Sequence, residues 1–153
     1  MLRANNLMRF DRLLSDSRAL KICPMGKMPG RQWSISARSN KSQPLTFFRE
    51  GLPLPPSDSG ELSPIEFLLL SVASCFALSC RAAGTILGAP PLSLKVEARG
   101  EKQPGLPNRL VGIEIHTEIE SLDEVARAAI VSEAKRLCTV ANTVLQAPTV
   151  TYV

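Results

Sequence analysis

The chain has 153 residues and 16.6 kDa, enough for one domain with a genuine core and too short for two. With 44% apolar and 21% charged residues it is composed like a soluble globular protein, which sets aside intrinsic disorder and a membrane-embedded architecture. The net charge of +4 invites an anionic partner, but residues 1–31 carry seven Lys and Arg against Asp11 and Asp16, a net +5, and the remainder carries −1. In that remainder the bases are interspersed with acids, and 5% aromatics leave little for base stacking, so no nucleic-acid partner is expected. A single histidine, His116, rules out a His-rich metal centre, and Cys23, Cys75, Cys80 and Cys138 form no C-x-x-C pair. The N-terminal stretch lacks the roughly seven-residue apolar run of a secretory signal, so an intracellular chain with reduced thiols is expected.

Residues 1–30 read as an appendage to a domain over 31–153. A partial stripe of Leu7, Phe10 and Leu14 lies among arginines and breaks at Cys23-Pro24-Met25-Gly26 and Pro29-Gly30. Three readings stay open: a loosely docked extension, an over-long start with Met25 or Met28 as initiator, and an Arg-rich targeting peptide, which Asp11 and Asp16 oppose.

From position 31 the pattern turns to period two. Trp33, Ile35 and Ala37 alternate with Gln32, Ser34, Ser36 and Arg38, which predicts a half-buried strand. Ser39-Asn40-Lys41-Ser42 predicts a turn and residues 45–48 a returning strand. The proline-rich stretch 52–60 lacks amide donors and is expected to be an extended loop. Ser63-Pro64-Ile65-Glu66 then carries three helix-start signals at once: a serine N-cap, proline at the first helical position, and glutamate closing a capping box. Residues 67–80 are almost continuously apolar, but a bilayer span needs about 20 such residues, so the helix belongs in a core or subunit interface. Gly88 and Pro90-Pro91 end it.

Leu92, Leu94, Val96 and Ala98, then Val111, Ile113, Ile115 and Thr117, predict two strands joined through Gln103-Pro104-Gly105-Leu106-Pro107-Asn108, with His116 on the opposite, solvent-facing side. Ser121-Leu122-Asp123-Glu124 reads as a second capping box, opening a helix that delivers Cys138 toward its end. A helical turn over 140–145, a stop at Pro148 and a last strand over 149–153 complete the order β-β-α-β-β-α-β. This is an α+β domain with a long buried central helix.

The chemistry centres on cysteine. Cys75 lies midway along the apolar helix, where a packing role alone would be unremarkable. Cys80 lies about 140° further around the helix and is read as packing. Cys138, on the other long helix, is the better partner for Cys75, because crossing helices can bring two thiols within disulfide range. Ser71 and Ser74 lack a histidine base and are expected to bond back to helix carbonyls.

Residues 63–78, Ser63-Pro64-Ile65-Glu66-Phe67-Leu68-Leu69-Leu70-Ser71-Val72-Ala73-Ser74-Cys75-Phe76-Ala77-Leu78, resemble the first active-site motif of the OsmC/Ohr family (osmotically inducible protein C and organic hydroperoxide resistance protein). Lys135-Arg136-Leu137-Cys138-Thr139-Val140 is similar to its second motif, and the element order agrees over 31–153. The resemblance implies the OsmC/Ohr-like fold, an intertwined homodimer with the site at the interface, and a cytoplasmic thiol-dependent peroxidase that uses no metal or cofactor. Cys75 matches the peroxidatic cysteine, whose thiolate attacks an organic hydroperoxide and becomes a sulfenic acid. Cys138 matches the resolving cysteine, which closes a disulfide that a dithiol reduces, a lipoylated protein among the candidates. In the family an arginine from the N-terminal hairpin or the following loop favours the thiolate, and Arg38 and Arg49 are both candidates. An acid holds that arginine, and Glu66 is the candidate.

Two departures mark a divergent member. Ile65 stands where the family commonly has its acid, leaving Glu66 one helical step away, where capping alone would explain it. Thr139 replaces the proline that usually follows the second cysteine. The rival reading, favoured by Ile65, is a catalytically silent dimer of the same fold that binds a small apolar ligand at its interface.

Overall fold

The computed structural model describes residues 30–55 and 62–152. The expected N-terminal extension, with Cys23, lies outside the described residues apart from Gly30. Five antiparallel strands form one sheet in the order β3-β2-β1-β4-β5: β1 (Gln32–Asn40), β2 (Thr46–Arg49), β3 (Leu52–Leu54), β4 (Ser93–Lys102) and β5 (Leu110–Ile119). The long helix α1 (Pro64–Ile86) lies across one face of the sheet, and α2 (Glu124–Leu137) packs on α1, followed by the short α3 (Thr139–Leu145).

Register divides the sheet cleanly into two faces. Ile35 pairs with Ala98 and Ala98 with Ile115, while Ala37 pairs with Val96. Side chains directly opposite one another share a face, so these residues, with Trp33 and Leu94, form the buried floor under α1. On the other face Ser34, Ser36 and Arg38 of β1 stand beside Arg99, Glu97 and Lys95 of β4, and Glu114, His116 and Glu118 complete the rows on β5.

α1 is fixed at both ends. The Glu66 carboxylate accepts bonds from the Ser63 amide at 2.8 Å and the Ser63 hydroxyl at 2.6 Å, and Ser63 Oγ accepts from the Glu66 amide, so the capping box is complete. At the other end Ala89 N donates to Gly84 O and Gly88 N to Thr85 O. Gly88 has φ +72, the left-handed conformation that this Schellman ending requires. Leu69, Val72, Phe76, Cys80 and Ala83 bury the sheet-facing stripe. Gly100 allows the close approach, since a Cβ there would stand 3.2 Å from both Leu69 methyls.

Five local expectations change. Ser39 and Asn40 belong to β1, whose pairing with β4 runs to Asn40↔Ser93. Leu52–Leu54 forms the edge strand β3 rather than loop, because a proline costs no ladder bond on the open side of an edge. The cap of α2 is Asp123, whose carboxylate accepts from Ala126 N at 2.8 Å; Ser121 instead takes φ +60 in the preceding turn. A register shift at Glu101/Lys102 accommodates Val111 as an extra residue and turns it outward. Finally, residues 147–152 form no strand, and Val150 and Tyr152 stand 69% and 95% exposed. Their alternating pattern suits a pleated surface, but they form no ladder with either edge strand, β3 or β5.

The capping box should be measurable. Ser63→Ala is expected to lower unfolding stability by about 1 kcal/mol, with an unchanged denaturant slope in urea melts followed by circular dichroism. No shift in midpoint would refute this account of the helix start.

Candidate active site

Cys75 stands midway along α1, half-buried, at the border between the sheet-facing stripe and an exposed apolar stripe of Phe67, Leu68, Leu78 and Ile86. Cys138 is fully buried at the junction where α2 ends and α3 begins. Helix crossing brings it onto α1, where its sulfur meets the Cys75 thiol, the Ser79 hydroxyl and the Ala141 amide. Burial, and then the neighbouring Cys75, push the Cys138 thiol up, while the Ala141 amide and Ser79 pull against that rise. Cys138 is therefore a thiol at neutral pH. Cys75, Cys80 and Cys138 are all free.

Cys80 is fully buried, and burial pushes its thiol up to about 12, with nearby Cys138 adding to the effect. The 140° offset holds in the sense that Cys75 opens to the surface and Cys80 does not. Both nevertheless flank Cys138, from its outer and inner sides.

The two candidate arginines separate by face. Arg49 pairs with Ile35 and so stands on the helix side of the sheet, half-buried, where its charge acts on Glu66. Arg38 stands on the opposite side, exposed, with its guanidinium 4.3 Å from the Phe48 ring centre. Partial burial works to raise the Glu66 carboxyl, but the two bonds from Ser63 and the charges of Arg49 and Arg31 bring it below the ordinary carboxylate range. Glu66 and Arg49 thus share the start of α1, and no ion pair closes between them. Cys75 lies nine residues further, about 13 Å along the helix. His116 is on the outer face, 3.3 Å from Glu114, as the alternation predicts. Ser71 and Ser74 donate to the carbonyls of Leu68 and Leu70.

A cavity of about 510 Å³ lies between α1, α2, α3 and β5, lined by Phe76, Ile115, Val131, Ala141 and Leu145, with Lys135 and Asn142 among its polar groups; neither sulfur lines it, though Phe76 follows Cys75 and the Ala141 amide lies near Cys138. The larger hollow, about 720 Å³, is on the far side of the sheet among Glu97, Arg99 and Glu114, and the thiols do not border it. Neither the cavity nor the place of Ser79 was read from the sequence. The second was accessible to it, since Ser79 follows Cys75 by one helical turn. Among the described residues no three His, Cys, Asp or Glu side chains converge as a metal site.

Fold and thiol pair together define an α+β protein built on one antiparallel sheet and a cysteine-bearing central helix. A family model described as OsmC-like protein matches residues 57–153, and the chain belongs to that family. Among solved structures it is similar to an OsmC-like hydroperoxide resistance protein from Jannaschia sp. CCS1, at 17% identity and a TM-score of 0.60, over 79% of this chain and 90% of that one. The organic hydroperoxide resistance protein OhrB of Bacillus subtilis follows at 13% identity and a TM-score of 0.47, over 72% and 89%. At such identities the likeness speaks to fold alone, and fits a divergent member. No curated protein matches in sequence.

Cys80 supplies a test of this packing. A thiol whose pKa is raised by folding adds stability that is complete below its unfolded value, near 8.5, and is lost as pH climbs toward about 12. The advantage of the wild type over Cys80→Ala is therefore expected to shrink by roughly 1–2 kcal/mol between pH 7.5 and pH 10, in urea melts under reductant. A gap that ignores pH would place Cys80 in water rather than in the core.

Proposed function

We propose that the 31–153 domain is a thiol-dependent peroxidase of organic hydroperoxides, active as a homodimer in the cytoplasm, with residues 1–30 as an extension outside the catalytic unit. The observation that carries this reading is the contact between a half-exposed Cys75 and a buried Cys138. The Cys75 thiolate takes the distal oxygen of the hydroperoxide; the O–O bond breaks, the alcohol leaves with a proton, and Cys75 becomes a sulfenic acid. Cys138, shielded from oxidant by its burial, then attacks that sulfur, and an external dithiol, such as a lipoylated protein, reduces the disulfide. The mostly apolar cavity between α1, α2 and α3, which Phe76 and Ala141 line, supports an apolar substituent on the hydroperoxide.

A second copy is part of the proposal. The stripe of Phe67, Leu68, Leu78 and Ile86 flanks Cys75 and is large enough to mark an interaction surface. Of the two candidate arginines Arg49 is the cation proposed for the Cys75 thiolate in that dimer, because it alone stands on the helix side of the sheet. The same cavity favours the second reading, a catalytically silent binder of a small apolar ligand.

Counting free thiols after treatment with tert-butyl hydroperoxide separates the two. Loss of two thiols per chain, abolished by Cys75→Ser, is expected for the enzyme; an unchanged count would leave only the binder. Arg49→Ala is expected to slow Cys75 oxidation by at least about tenfold, with Arg38→Ala within about twofold of wild type. Equal rates for the two variants would remove Arg49 from the site.

A further inference from the structure

Ser79 is buried on α1 one turn beyond Cys75, and its hydroxyl donates to the Cys75 carbonyl at 2.9 Å. Around the helix Ser79 stands between Cys75 and Cys80, the two residues that flank the Cys138 sulfur, which puts its hydroxyl within reach of that sulfur. The other two serines of this helix stretch, Ser71 and Ser74, are less buried and spend their hydroxyls on backbone carbonyls. Building on the thiol-peroxidase reading, we infer that Ser79 activates Cys138 for disulfide closure, by donating its hydroxyl hydrogen to the Cys138 thiolate as that thiolate forms.

Closure depends on what surrounds the Cys138 sulfur. Attack on a sulfenic acid requires a thiolate, and a fully buried sulfur has no water to stabilise one. Two groups near it can donate: the Ala141 amide, fixed by the backbone, and the Ser79 hydroxyl, free to rotate about its C–O bond. Rotation costs little, because the Cys75 carbonyl keeps the amide bond that α1 supplies when the hydroxyl turns away. The step balances. Cys138 loses its proton, its sulfur bonds to the Cys75 sulfur, the S–O bond breaks, and hydroxide leaves with that proton as water.

The test follows Cys75 sulfenic acid by dimedone trapping and mass spectrometry after one equivalent of tert-butyl hydroperoxide, with Cys138→Ser marking the lifetime when no closure occurs. Ser79→Ala is expected to prolong the sulfenic acid about tenfold, and to move the midpoint of the pH profile for closure upward by about one unit. Ser79→Thr, which keeps the hydroxyl, is expected to restore both; a merely structural role would leave the pH midpoint in place. Closure by Ser79→Ala at the wild-type rate and midpoint would overturn this inference alone. A wild-type Cys75 that forms no sulfenic acid would overturn the peroxidase reading with it.

Discussion

α1 is apolar on nearly every side, and one sheet can cover only part of it. The stripe through Leu69, Val72, Phe76 and Ala83 is taken up by β1 and β4, and the approach is close because Gly100 and the small residues Ala73, Ala77 and Gly84 line the contact. The length and hydropathy of α1 would suit a membrane span, but half of its most apolar window is already buried in this core. What remains is a continuous exposed strip in which Leu78 is 52% and Ile86 63% exposed. Cys75 sits on the seam between the two. That placement gives one sulfur access to the surface and gives the helix crossing with α2 a buried position for the other.

The paired charges of the sheet lie on the face turned away from α1. On the outer face Lys95, Glu97, Arg99 and Glu118 pair among themselves, and Glu97 also accepts from Ser34. Its carboxyl is held below the ordinary range chiefly by the bond from Arg99, against the opposing effect of burial. Such exposed pairs contribute little stability individually, but they neutralise the face that carries Arg38. On the helix side burial is the chief cause that pushes the Cys138 and Cys80 thiols up. A thiol so buried ionises only with a hydrogen-bond donor or a cation close to its sulfur.

The parts of this architecture that were legible are those written in local chemistry. Ser63-Pro64-Ile65-Glu66 specifies the helix start residue by residue, and Gly88 its end, because caps depend on a few neighbouring atoms. Alternation separated Ile35 from Arg38 and placed His116 in solvent, since period two is set by the pleat. The arginines could not be ranked that way. Arg38 and Arg49 lie on different strands, and which face each shares with α1 follows from the pairing register of β1 with β2. The last strand failed for a related reason: Thr149 to Tyr152 have strand-like side chains, but a strand also requires a pairing partner, which alternation does not specify. Ser121 was the expected cap of α2, and the backbone instead uses Asp123, two residues on.

Glu66 serves the fold through its cap and leaves part of its carboxylate free. The shift of the acid from position 65 to 66 turns it by one helical step, and both bonds from Ser63 end on the same carboxylate oxygen, Oε2. The second oxygen takes no part in the cap. A carboxylate offers about four lone-pair sites, so the capping box leaves room for a guanidinium approaching from the β2 side, where Arg49 already lowers the Glu66 pKa without closing an ion pair. Fixing the carboxylate by its cap removes side-chain freedom before any arginine arrives, which reduces the entropy lost when a salt bridge forms. A shifted acid is thus compatible with arginine holding, provided the arginine moves toward the helix start rather than the helix turning toward the arginine.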